Sequence, residues 1–261
     1  MWRIVALIGI LWAQTEEWQS LWEVRDNPES AAKAIELLEK ALAAQPHDMD
    51  KIVRLARLYY LLGEQSEKKD QRLERYDRAY KLCREELRHR LGLGAKASDE
   101  EIIKKTSADL MPLLYWAGAS IARWGKYAPF AQKVQARSTI RAYWDRIYEL
   151  QPDYFFGGAY RFFGGYYALV PAITGEQDVK KSREMFEKAL SVAPDYLETK
   201  VLYAEAYAAH GKVRDVELFR RLLKEVQAAD PGTHPEYAAE NRLAKKKAEA
   251  LLAKEKELFE D

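Results

Sequence analysis

The chain has 261 residues, 48% hydrophobic and 32% charged, with 42 Lys and Arg against 41 Asp and Glu. That length suffices for one large domain or a short solenoid with a buried core, and the charge balance excludes a general field for nucleic acid or anionic lipid. A single cysteine, Cys83, excludes an intrachain disulfide, and no CxxC or Cys/His cluster has zinc-ligand spacing.

The chain opens on Met1-Trp2-Arg3, an apolar run from Ile4 to Trp12, then Ala13 and the acidic Glu16-Glu17. A charged start, an apolar middle and a small residue at the cut are the layout of a secretory signal. Cleavage is expected after Ala13, leaving 14–261 as a single domain and an exported, periplasmic protein. The run is about half of the ~20 residues that span a bilayer, so no transmembrane span is expected in the mature chain. A buried N-terminal helix is the other reading of so short a run.

From there the periodicity predicts helices over 16–25, 28–45, 49–62, 68–90, 99–105, 109–124, 131–150, 154–169, 178–193, 196–210, 214–229 and 235–259, with no strand pattern between them. Asn27-Pro28-Glu29 places a capping residue before a proline at the first helical position. Ser98 with Glu101, and Thr233 with Glu236, have capping-box spacing. Gly63, Gly92, Gly125 and Gly211 each read as a helix stop.

Two proline anchors, Pro46 and Pro194, share their surroundings. Leu38 and Ala41 precede the first as Phe186 and Ala189 precede the second. Ala56, Tyr59 and Gly63 follow the first as Ala204, Tyr207 and Gly211 follow the second. These offsets are those of the tetratricopeptide (TPR) pattern, in which small residues let paired helices approach and a large one fills between them. Pro152-Asp153-Tyr154 recurs as Pro194-Asp195-Tyr196, 42 residues on, longer than the ~34 of a regular repeat. The fold class expected is therefore all-α, an irregular TPR-like stack of helix pairs forming an α/α superhelix. Such a stack leaves a concave surface for binding.

The stretch from Tyr115 to Tyr167 holds 16 of the chain's 31 aromatic residues. Its densest part, Tyr154 to Tyr167, carries two glycine pairs seven residues apart, 157–158 and 164–165. Each glycine costs a helix up to ~1 kcal/mol, so backbone packed on backbone, or a ligand against a bare face, is needed to explain them. The surrounding aromatics are too many for one helix side, which leaves two readings: plain core, or the wall of an apolar cavity. Arg161 is the lone charge in this segment. It reads either as a clamp for a carboxylate or as a salt bridge to a neighbouring helix.

The order of these pieces resembles the TatT-like T component family associated with TRAP (tripartite ATP-independent periplasmic) transporters. The resemblance runs from about Leu110 to Phe259. It rests on Leu114-Tyr115-Trp116-Ala117-Gly118, on Pro152-Asp153-Tyr154 followed by Gly157-Gly158-Ala159-Tyr160-Arg161, and on the Phe186…Ala189…Pro194 block. Lys200-Val201-Leu202-Tyr203-Ala204-Glu205, the run from Leu218 to Val226 and the terminal run from Asn241 to Leu252 complete it. It implies a periplasmic accessory protein whose partner is the substrate-binding P component of the transporter. It also implies an apolar or amphipathic ligand, a homo-oligomer, and a cleft or pore through each subunit. Members often carry a lipid on a cysteine that this chain lacks. Tyr115, Trp116, Tyr154, Phe156, Tyr160, Arg161 and Phe163 are the candidate ligand wall, with Arg161 facing a carboxylate.

Catalytic motifs are missing: no GxSxG, Walker loop, GxGxxG or HExxH occurs, and His47, His89, His210 and His234 have no paired spacing. Gly92-Leu93-Gly94-Ala95-Lys96 lacks the second half of a phosphate loop and reads as a helix stop. Cys83 reads as a small core residue, and Lys245-Lys246-Lys247 as a solvated helix face. Neither enzyme activity nor a metal or cofactor is expected. The rival reading is a TPR-type scaffold for protein assembly in the envelope, with no small ligand.

Overall fold

Asn27 ends one helix-free turn and starts a helix: its Oδ1 accepts the amides of Glu29 and Ser30 at 2.9 and 3.0 Å, with Pro28 in the first turn. The same device recurs along the chain. Asp48, Ser98, Asp178 and Asp215 each accept an amide of the first turn that follows them, satisfying donors that have no partner inside the helix. The computed structural model describes residues 17–260, and its regular structure is helical throughout; the expected signal at 1–13 lies outside them.

Those residues divide into two compact units, with the division in the chain between Leu150 and Gln151. The first holds α1 (17–23), α2 (Pro28–Ala44), α3 (Met49–Gln65), α4 (Lys69–Arg90), α5 (Asp99–Lys105), α6 (Met111–Tyr127) and α7 (Phe130–Leu150). Each long helix packs on its neighbour, α2 on α3, α3 on α4, α4 on α6 and α6 on α7. Leu38, Ile52, Leu58, Tyr76, Cys83, Leu113 and Tyr143 fill the space between them. Burial pushes the Cys83 thiol well above its usual range, which suits a packing residue and not a nucleophile.

The second unit holds α8 (Tyr154–Leu169), α9 (Val179–Val192), α10 (Glu198–Tyr203), α11 (Val216–Ala228), α12 (Ala238–Ala253) and α13 (Glu255–Phe259). A π turn, Ala204–Ala208, continues α10, with the Ala209 amide bonded to the Ala204 carbonyl at 3.0 Å. Its core gathers Phe186, Val201, Tyr203, Phe219, Leu222, Leu223 and Ala244. Among the described residues no helix is long and apolar enough to cross a membrane.

The glycines divide between two duties. Gly92 stops α4 as expected: at φ +63° it builds the paired bonds of a Schellman turn, Gly92 to the His89 carbonyl and Leu93 to the Arg88 carbonyl. Gly63 and Gly125, expected as stops, lie instead inside α3 and α6. Both are sites of close approach. A Cβ on Gly63 would stand 2.6 Å from Tyr76 Cε1, and one on Gly125 would stand 2.8 Å from Ile140 Cδ1. Tyr76 is fully buried and its hydroxyl is bonded to Glu64, so its ring has little room to move. Gly63→Ala is therefore expected to lose about 1–2 kcal/mol, because the clash of a tight core (~1–3 kcal/mol) outweighs the ~1 kcal/mol gained in helix propensity. A urea titration checks it; a gain in stability would show that the ring gives way.

Two further expectations change. The capping box at Thr233 does not form: Thr233 donates its hydroxyl to the Asp230 carbonyl, a 3₁₀ turn occupies Pro235–Tyr237, and α12 begins at Ala238. The lysine run is also more than a solvated face. Lys245 Nζ donates to the carbonyls of Gln227 and Ala229, both at 2.7 Å, placing a cation where the dipole of α11 is negative.

Candidate functional site

The second unit contains a strained turn. Phe155, Phe156 and Gly157 inside α8 all have left-handed backbone, with φ of 49°, 60° and 76°. Left-handed geometry costs a residue with a side chain roughly 1–2 kcal/mol, so this turn persists only because its surroundings hold it. Arg161 is one such hold. One guanidinium nitrogen donates to the Phe156 carbonyl at 2.6 Å and the other to the Phe155 carbonyl at 3.1 Å. The Thr199 hydroxyl stands 3.4 Å from the first nitrogen, and the guanidinium lies 4.5 Å from the centre of the Tyr196 ring. Gly157 is the second hold. A Cβ there would stand 3.1 Å from the Ala189 Cα, so α8 meets α9 backbone to backbone at this point.

The turn drives two phenylalanines into an aromatic cluster. Phe156 lies 5.1 Å from Tyr196 and 4.5 Å from Tyr237, while Phe155 lies 5.9 Å from Tyr196. Such rings at 4.5–7 Å attract through their quadrupoles. Asn241 braces the floor, accepting the Leu197 amide and donating to the Asp195 carbonyl. His234 stacks on Tyr237 at 5.0 Å, and burial beside Asp195 and Glu236 pushes the Tyr237 phenol up to about 12, keeping it neutral.

The seven expected wall residues fall in three settings. Tyr115 and Trp116 belong to the first unit and are buried there, Tyr115 edge-on to Trp144 and Trp116 edge-on to Tyr60. Phe163 and Arg161 are buried in the second unit. Tyr154, Phe156 and Tyr160 keep part of their ring surface accessible, together with Phe162, Tyr166 and Tyr167 further along α8. Gly165 lies on the same helix with nothing within 4 Å of where a Cβ would stand. Of the two reasons for the glycines, Gly157 and Gly164 serve close packing, the latter 2.8 Å beneath the Phe186 ring, and Gly165 leaves backbone bare. Lys188, exposed on α9, reaches to 5.9 Å from the Tyr160 ring.

Tyr196, Tyr237, Thr199 and Asn241 were not among the expected site residues. Tyr196 carried a signal, the repeated Pro-Asp-Tyr; the others come together only through the packing of α10 and α12.

The family model described as TRAP transporter T-component matches residues 28–259, from the first turn of α2 to the end of α13. That extends the resemblance read from Leu110 onward back across the first unit. No curated protein matches the chain.

Proposed function

The chain belongs to the TRAP transporter T-component family, and from that membership we propose that it is a periplasmic accessory protein that binds the transporter's substrate-binding P component and holds an apolar or amphipathic organic acid against the accessible rings of α8. The observation that carries the ligand half is the number of half-buried rings along one helix, Tyr154, Phe156, Tyr160, Phe162, Tyr166 and Tyr167, with the bare backbone of Gly165 among them. Large accessible apolar surface marks an interaction site more often than a finished core. A ligand carboxylate would meet Lys188 beside Tyr160; Arg161 would meet it only by releasing the carbonyls it holds. Tyr115, Trp116 and Phe163 are packed core residues, so the proposed surface is narrower than the expected list of seven.

The helix pairs are proposed to be TPR-like, and the protein to act as a homo-oligomer. What supports the repeat is that seven of the positions that match the TPR pattern, Leu38, Ala56, Tyr59, Phe186, Ala189, Ala204 and Tyr207, are buried, while Ala41 is half-buried and Gly211 exposed. The second reading is a protein scaffold without a small ligand. It is favoured by the enclosed state of Arg161, whose guanidinium is turned to its own backbone.

A mild pull-down of the tagged protein from its host's envelope, read by mass spectrometry, tests the partner. A TRAP-type solute-binding protein as the dominant prey is the expected result; envelope-assembly proteins without one move the protein to the scaffold reading. Titration with a fluorescent long-chain fatty acid tests the ligand. Tyr160→Ala is expected to weaken it about 5–30-fold, the loss of ~1–2 kcal/mol of ring contact. Equal binding by the variant removes this face from the proposal.

A further inference from the structure

His47 lies in the turn between α2 and α3, and His89 in the last turn of α4, 42 residues later. The packing of α3 on α4 brings them face to face: their rings are parallel to within 1° and 3.6 Å apart. Glu86 stands three residues before His89 and shares its side of the helix. Its carboxylate is buried, with Oε2 2.8 Å from His47 Nδ1. One ligand atom from each of the three lies within 4.8 Å of the other two. We infer that His47, Glu86 and His89 form a binding site for a divalent transition-metal ion of the zinc type.

The chemistry of the donors selects the ion. Two neutral imidazoles and one carboxylate suit zinc, copper or nickel and discriminate against magnesium and calcium, which take oxygen. The His47 nitrogen and the Glu86 oxygen already face each other across one hydrogen bond. A metal ion about 2.0–2.2 Å from each would take the place of that hydrogen bond, with the neutral His47 ring carrying its proton on Nε2. The two nitrogens of a tetrahedral site stand roughly 3.4 Å apart at those bond lengths, close to the separation of the stacked rings. Ring lone pairs lie in the ring planes, so the two imidazoles must fan open around the ion. Both are exposed on the surface and have room to turn.

The surroundings favour a cation in two ways. The site sits on the last turn of a 22-residue helix, where the dipole is negative. Arg90 does oppose it electrostatically, but Arg90 is committed elsewhere. Its Nε holds Glu86 Oε1 and its Nη2 holds the His47 carbonyl, both at 2.7 Å. It thereby aims Oε2 and pins the loop that carries His47, as outer partners do around metal ligands. A surface depression lined by Gln45, Pro46, His47 and Asp48 leaves the approach open. An ion here would tie the α2–α3 turn to the end of α4.

The test is calorimetric titration of the tag-free chain with Zn²⁺ alone in a non-coordinating buffer, with Mg²⁺ as the comparison. The expected result is one zinc per chain and no heat with magnesium. His47→Ala and His89→Ala are each expected to weaken zinc at least about tenfold, and His210→Ala to leave it unchanged. Metal-free melting of each variant verifies that it folds. Zinc X-ray absorption of the loaded wild-type chain reads the ligands without any substitution, and two imidazoles are expected. Absent one-site binding, binding that survives the double His47→Ala/His89→Ala variant, or an absorption spectrum without imidazole would each overturn the site.

Discussion

Arg161→Ala is expected to lower stability by about 2–4 kcal/mol. The side chain is only 6% exposed. Truncation removes the charge-assisted bonds to the Phe155 and Phe156 carbonyls, each worth ~1.5–3 kcal/mol when the partners are buried, and the stacking on Tyr196, worth ~0.5–2 kcal/mol. Relaxation of the left-handed turn returns part of that sum. At roughly 2–4 °C per kcal/mol for a chain of this size, the melting midpoint should fall by about 5–15 °C. Arg161→Lys should not rescue it, because an ammonium cannot reach two carbonyls and stack on a ring at once. Thermal melting followed by circular dichroism checks both. A variant as stable as the wild type that loses only fatty-acid binding would return Arg161 to the role of a carboxylate clamp.

Gly157→Ala is expected to cost about 2–4 kcal/mol through a different route. At φ +76° an alanine meets the left-handed penalty of ~1–2 kcal/mol that glycine escapes. Its Cβ also arrives 3.1 Å from the Ala189 Cα and 3.3 Å from the Ala189 carbonyl oxygen, and a backbone cannot step aside as a flexible side chain does. Overpacking of this kind adds ~1–3 kcal/mol. The control is Gly165→Ala on the same helix, where nothing lies within 4 Å and the substitution should stabilise by up to ~1 kcal/mol. Guanidinium unfolding of the two variants separates them. Equal midpoints would mean that α8 and α9 do not meet at Gly157.

Both predictions concern a segment where the sequence was only half informative. The aromatic and glycine density of 154–167 marked it, and a helix ending at Leu169 was legible, although its regular turns begin only after Gly157. The left-handed turn at its start was not. No side-chain pattern announces positive φ at two phenylalanines, because local preference opposes it; only the anchoring by Arg161 and the backbone contact with Ala189 sustain it. Arg161 itself was visible as the lone charge among rings, yet its partner proved to be the backbone five and six residues before it, a type of contact that carries no sequence signature. The lysine at 245 failed for the same reason, since the carbonyls it caps belong to another helix.

What the sequence by itself determined is local. Caps such as Asn27 and Asp48 act within three residues, amphipathic periodicity acts within a few turns, and both set the helices and most of their ends. The family too was readable, since the spacing of its motifs is a property of the string. Tertiary structure alone decided what depends on groups far apart in the chain. It turned Gly63 from a helix stop into a seat for the Tyr76 ring, and it split seven candidate wall residues between accessible rings and packed core. It also set His47 against Glu86 and His89, whose spacing of about 40 residues resembles no metal motif. Helix formation is a short-range affair of backbone bonds and side-chain period, whereas site formation depends on which helix faces which, and that is settled by the packing of whole helices.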